Sequence, residues 1–266
     1  MHIKWGVKHR IAHSHNARQN VSNFTYFLKM IQEWKMETYA TDYWGCSKAA
    51  NRWYFPRKYK QSIVINNAIE LDAYQYNDNS RKKIRKELGL SDNDFVIVNV
   101  GRYVKQKNQG FLIRLCSSLN TSSKDVHLIL AGEGNRNELD SIVKEENAES
   151  YIHIIGGRDD IGDILSASDL FALPSLWEGL PIVLIEAQAN GLPCVVSDLV
   201  TRESDAGIGL TEYLDLDLNI WGKYIDPKKA LTTRKRLNSE QYSKLSDNWD
   251  INKVAKIVQK LYLSMK

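Results

Sequence analysis

The chain has 266 residues, of which 43% are hydrophobic and 26% charged, and a formal net charge of +4. That length supports one large domain or two modest ones with their own core, and the composition is that of an ordinary soluble globular protein. No run reaches the roughly 18 apolar residues of a membrane helix, and the three scattered cysteines, Cys46, Cys116 and Cys194, support neither a disulfide framework nor a zinc site.

The first 60 residues predict a strand at "RIAHSH", a long helix from about Ala17 to Met36, a short strand at "TDYWGCS" and a helix starting at Ser47. They read as the tail of an α/β unit. From residue 94 onward, short apolar runs alternate with helical patterns. "FVIVNVG", "VHLILAG", "YIHIIG", "DLFALPS" and "PCVVSD" predict strands. "NQGFLIRLCSSL", "NRNELDSIVKEE" opened by Asn135, "DDIGDILSA" and "PIVLIEAQANG" closed by Gly191 predict helices. Continuous apolar strands separated by helices predict a parallel sheet covered on both faces, a doubly wound α/β domain. "SEQYSKLSDNW" and "INKVAKIVQKLYLSM" predict two closing helices.

Positive charge gathers in the first third: Lys4, Lys8 and Arg10, then Arg52, Arg57, Lys58 and Lys60, then Arg81, Lys82, Lys83, Arg85 and Lys86. Such a surface suits an anionic membrane face, a phosphorylated acceptor or nucleic acid, while a solvated helix face accounts equally for residues 81–86.

Ligands of doubly wound sheets bind beyond the carboxyl ends of the strands. The loops to inspect are therefore "GRYVKQKN", "AGEGN", "GGRDD" and "PSLWEGLP". Arg102 and Lys107 stand in a loop that leads into a helix, a combination suited to a diphosphate. Gly132, Gly156 and Gly157 allow a ligand near the backbone, although such glycines also serve plain turns. In "SLWEGLPIVLIEAQANG", Pro181 opens a helix, which puts Glu178 just ahead of it and Glu186 in its second turn, among apolar residues. A buried Glu calls for a partner, and sugar hydroxyls are one, since a carboxylate accepts several hydrogen bonds. A Glu that points to water and another that complements the helix dipole form the plainer alternative. Two cations, glycine turns and two carboxylates on one sheet edge match a nucleoside diphosphate sugar, with no metal and no further cofactor required.

These motifs, "GRYVKQKN", "AGEGN", "GGRDDIGDILSASDLFALPS" and "PSLWEGLPIVLIEAQANGLPCVVSD", closely resemble the nucleotide-binding half of GT-B retaining glycosyltransferases of the family 4 type. The spacing of Glu178 and Glu186 is that family's hallmark, and "RIAHSHN" and "GCSKAA" resemble its bacterial polysaccharide-synthesis members. The resemblance implies that Arg102 and Lys107 hold the donor diphosphate. It implies that Glu178, with the backbone of Gly179, Leu180 and Pro181, reads the sugar and distal phosphate, and that Glu186 accepts from the ribose. Gly132 would let the donor come close to the backbone, and Gly156 through Asp159, including Gly157 and Arg158, would line the base pocket. His15 resembles the acceptor-side histidine, with an ordinary strand-end residue as its alternative. Arg102, Lys107, Glu178 and His15 form the expected catalytic set.

The implied function is transfer of a sugar from a UDP- or GDP-sugar, UDP foremost, to a saccharide or lipid-linked acceptor in exopolysaccharide, capsule or lipopolysaccharide synthesis. Residues 1–60 are expected to be the end of an acceptor domain, 61–245 the donor-binding domain and 246–266 a helix crossing back to the first lobe. An acceptor lobe shorter than the family's leaves an alternative, a nucleotide-sugar binding fragment inactive alone. A separate N-terminal half or self-association would then complete it, through apolar residues left bare. A cytoplasmic chain at the inner membrane face, without nucleic acid as a partner, is expected.

Overall fold

The computed structural model describes residues 6–15, 23–120, 125–225 and 237–265. A small parallel sheet comes first. Its strands β1 (Ile11–Ser14), β2 (Asp42–Gly45) and β3 (Ile63–Val64) lie in that order, and helix α1 (Asn23–Tyr39) and helix α2 (Lys48–Tyr54) connect them. The Ser47 hydroxyl caps α2 by accepting from the Ala50 N–H at 2.9 Å. The expected long helix ends at Tyr39 rather than Met36, and its first residues, 17–22, lie outside the described residues.

A larger sheet follows, preceded by α3 (Asp78–Glu87). Strands β4 (Phe95–Val100), β5 (Val126–Ala131), β6 (Ile152–Gly156), β7 (Leu170–Leu173), β8 (Cys194–Ser197) and β9 (Thr211–Leu214) pair in parallel in the order β6-β5-β4-β7-β8-β9. Helices α4 (Gln109–Leu119), α5 (Asn137–Glu145), α6 (Ile161–Ala167) and α7 (Ile182–Ala189) make the crossovers, and α8 (Leu218–Tyr224) follows β9. Alternation along β4 shows both faces covered. Phe95 and Ile97 pack with Leu112, Leu115, Ile142 and Trp221 of α4, α5 and α8, while Val96 and Val98 pack with Ile164, Leu165, Leu184 and Ala187 of α6 and α7. The doubly wound α/β fold is therefore as the apolar runs predict, with β9 added at one edge.

The chain ends in α9 (Ser239–Trp249) and α10 (Ile251–Ser264). Ile69, on the segment joining the two sheets, donates to Trp249 O and accepts from Ile251 N, so two chain crossings are bonded side by side. Val254 packs with Trp44 and Ile65, and Val258, Leu261 and Ile11 flank that cluster. Ile11, Val254, Val258 and Leu261, expected to be left bare, are thus covered or half-covered, because α10 lies on the small sheet. Ile31 is exposed together with Met30 and Trp34, and Ile257 is exposed on α10. The side chains of Phe24, Phe27 and Leu28 lie outside the described ones.

The basic run on α3 divides by helical face. Lys82, Lys83 and Lys86 are exposed. Arg81 and Arg85 turn inward onto the Asp169 carboxylate at 2.9 and 3.3 Å, and Arg85, only 2% exposed, also donates to the carbonyls of Ala167 and Ser91. Asp169 in turn accepts from Val96 N at 2.9 Å. These two arginines therefore tie α3 to the start of β4 and β7 and present no charge to a partner.

Candidate functional site

Strand order reverses at β4 and β7: β5 and β6 lie on one side, β8 and β9 on the other. Crevices at such a point lie beyond the carboxyl ends, where consecutive loops diverge. Here the loops are residues 101–108 and 174–181. A cleft of about 470 Å3 opens between them, lined by Arg102, Gln106, Lys107, Glu178, Leu180 and His15 among others. His15 comes from the end of the small sheet, so the cleft lies between the two lobes.

The Lys107 ammonium lies 2.7 Å from the Glu178 carboxylate, with side chains 14% and 9% exposed. Three further bonds join the same loops. Gln106 Nε2 donates to Trp177 O at 2.7 Å, Leu176 N donates to Gln106 O at 2.9 Å, and Asn108 Nδ2 donates to Pro174 O at 3.2 Å. Asn108 holds φ 52°, a left-handed turn into α4 that asparagine tolerates well. Arg102 is exposed at the mouth. Its guanidinium and the free N–H groups at the start of α7 add positive potential to the cleft.

Gly179, Leu180 and Pro181 line the cleft as expected from the sequence. Glu186 does not: it lies a turn deeper on α7, where the Tyr74 hydroxyl bonds to it. Burial pushes the Glu186 carboxyl above its ordinary range and the Tyr74 bond holds it back. Tyr74 itself is pushed up to about 12, by burial first and the Glu186 charge second. The partner that a carboxylate in an apolar helix demands is thus supplied in part by the protein.

Gly132, Gly157, Arg158 and Asp159 lie outside the lining of this cleft. A Cβ on Gly132 would come within 2.0 Å of Gly101 O, so the close approach of two loop backbones requires glycine there. Arg158 is held by Glu87 at 2.6 Å and Asp160 at 2.7 Å, while Gly157 and Asp159 are exposed beside it. The His15 ring packs on His13 with centroids 4.3 Å apart, and burial followed by the His15 charge pushes His13 down.

Among the described residues, no group of three His, Cys, Asp or Glu side chains could hold a metal ion. Asp-x-Asp spacing occurs at Asp92 and Asp94, before β4, and at Asp215 and Asp217, after β9, and neither pair lines the cleft. Tyr74, Gln106 and Trp177 were not picked out from the sequence. Gln106 had a usable signal, its place beside Lys107 in the same loop. Tyr74, far away in the chain, had none.

The fold is that of GT-B glycosyltransferases. Residues 80–205 match the family described as Glycosyl transferases group 1. EpsF of Bacillus subtilis, a provisionally assigned glycosyltransferase, is 30% identical over 87% of this chain and 62% of its own length. The Escherichia coli UDP-Gal:alpha-D-GlcNAc-diphosphoundecaprenol alpha-1,3-galactosyltransferase is 32% identical over 76% of this chain and 54% of its own. The chain therefore spans about three fifths or less of these relatives. Among solved structures, Anabaena HepE in complex with UDP superposes with a TM-score of 0.80 at 20% identity, covering 96% of this chain and 72% of HepE. No helix among the described residues is long and apolar enough to cross a membrane.

Proposed function

We propose that this chain is the donor-binding part of a retaining, family 4 type glycosyltransferase that takes a nucleoside diphosphate sugar, a UDP-sugar foremost. The observation that carries this reading is the Lys107–Glu178 pair at the switch point, with Arg102 at the mouth of the same cleft. The UDP bound to HepE and the UDP-Gal in the name of the Escherichia coli relative support uridine. The diphosphoundecaprenol in that name supports a lipid-linked saccharide acceptor, met at the inner membrane face by the exposed lysines of α3 and the basic first third.

In this reading Arg102 and Lys107 bind the diphosphate and stabilise charge on it as it departs. Glu178, with the N–H groups of Gly179 and Leu180 beside Pro181, accepts from the sugar and reads the distal phosphate. Glu186 reaches the ribose, Gly132 borders the diphosphate, and Gly157, Arg158 and Asp159 border the base. The bond between the anomeric carbon and the phosphate oxygen breaks, and the acceptor hydroxyl oxygen bonds to that carbon on the same face. Its proton passes to the departing phosphate, so no protein nucleophile is required and His15 stands on the acceptor side. In this reading the first lobe runs past residue 60 to include β3, the donor lobe runs past residue 245 into α9, and α10 braces the first lobe.

A second reading is favoured by the exposed Met30, Ile31 and Trp34: a nucleotide-sugar binding fragment that acts only with a separate N-terminal half or a second copy. Transfer from labelled UDP-sugars to lipid-linked acceptors, by this chain alone and with an added N-terminal half, tests both. Transfer by the chain alone supports the first; transfer only on addition of the other half supports the second. Absence of transfer in both arms contradicts the enzyme reading.

A further inference from the structure

Gln106 is half-buried between the two loops of the cleft. Its Nε2 donates to Trp177 O at 2.7 Å and approaches Glu178 Oε2 at 3.4 Å, and its backbone carbonyl accepts from Leu176 N at 2.9 Å. Lys107, the next residue, holds the other oxygen of the same carboxylate. Thus the backbone on the amino side of Glu178 and both of its oxygens are fixed from one loop. The remaining side of Glu178 faces the cleft and the run Gly179-Leu180-Pro181, where the chain turns into α7. A carboxylate held by two neighbours keeps one orientation, and loss of either lets the loop before α7 relax by the few tenths of an ångström that hydrogen-bond geometry resolves.

We infer that Gln106 is a positioning residue for donor-sugar recognition: it sets the place of Glu178 from the loop that binds the diphosphate and acts on the ligand through Glu178. The inference rests on the donor reading above and adds to it a residue outside the recognised pattern. It also explains why the loop carries Gln-Lys-Asn in a row. All three side chains reach the β7–α7 loop, Gln106 at Trp177, Lys107 at Glu178 and Asn108 at Pro174. The diphosphate loop thereby fixes the position of the carboxylate that reads the sugar.

Gln106→Met keeps the length and volume of the side chain and removes its side-chain hydrogen bonds to Trp177 and Glu178. Calorimetry with UDP, UDP-glucose and UDP-galactose, in wild type, Gln106→Met, Glu178→Gln and the double variant, reads the effect. Affinity for UDP should stay within about twofold, and affinity for the bound UDP-sugar should fall about five- to tenfold, as expected for one or two lost hydrogen bonds. In the Glu178→Gln background the second substitution should add nothing. Equal losses for UDP and UDP-sugar, or additive losses in the double variant, would overturn the inference. A wild type that binds none of these ligands would instead overturn the uridine donor reading. Hydrogen exchange on the unliganded chain then still decides the positioning claim: exchange across residues 175–180 must rise in Gln106→Met, and an unchanged rate overturns it.

Discussion

Lys107 and Glu178, from loops on opposite sides of the sheet's switch point, meet at 2.7 Å with little of either side chain in water. A diphosphate entering the cleft must compete with Glu178 for that ammonium. Sugar hydroxyls gain a freer carboxylate once Lys107 turns to phosphate. Glu178→Gln should therefore keep or raise affinity for free UDP and lower affinity for the sugar-bearing donor about tenfold, some 1.4 kcal/mol. Lys107→Met should weaken both ligands and also destabilise the fold by roughly 3 kcal/mol, since it strands a nearly buried carboxylate. Calorimetry and thermal melts of the two variants check this, and matching profiles would refute the division of roles.

Tyr74 and Glu186 form the second pairing of consequence. Burial raises the Glu186 carboxyl, and the bond from the Tyr74 hydroxyl opposes that rise. Tyr74→Phe removes the opposing effect, so Glu186 should take up its proton at a higher pH than in wild type. Protonation removes acceptor capacity, and nucleotide affinity in Tyr74→Phe should accordingly begin to fall at a higher pH on acidification. Glu186→Gln should abolish that pH dependence. UDP titrations across a pH series would show it; superimposable curves for wild type and Tyr74→Phe would count against ribose contact by Glu186.

At the other edge of the large sheet, His153 Nε2 lies 3.1 Å from His127 Nδ1 with the rings stacked, and His127 lies 3.5 Å from Asp94. Burial first, and the His127 ring second, push His153 down to about 4 from 6.5. The unfolded chain thus binds the proton more readily than the folded one. Stability rises with pH between about 4 and 6.5 and is lost as pH falls through that window. Above pH 6.5 the contribution is flat. Melting temperatures from pH 4 to 8 should show the slope in wild type and a shallower one in His153→Phe.

Much of this architecture is legible in the residues because continuous apolar runs such as "FVIVNVG" and "VHLILAG" fit only a sheet buried on both faces. Strand β9, "TEYL", escapes that test: it is a partly exposed edge strand with mixed polarity, and its place is set by pairing with β8. Arg81 and Arg85 read as surface charge because their partner, Asp169, stands far along the chain. In the cleft, Arg102, Lys107, Glu178 and the Gly-Leu-Pro turn were visible because each sits where a strand must give way to a helix. The bonds behind them are harder to read, since Gln106 stands beside Lys107 but its partner Trp177 lies far along the chain, and Tyr74, which bonds Glu186, carries no distinguishing spacing. Gly132 was visible as a glycine, but a tight approach to Gly101 O shows an internal reason for it.

Calorimetric titration of UDP into the wild-type chain with a chelator present, alongside Glu186→Ala, tests the donor-binding claim most directly. One UDP should bind saturably with no divalent metal, because Arg102 and Lys107 supply the positive charge. Glu186→Ala should lose about 1.5–3 kcal/mol of that affinity, the cost of hydrogen bonds to a charged acceptor. Absence of saturable binding, or binding that appears only when magnesium or manganese is restored, would contradict it.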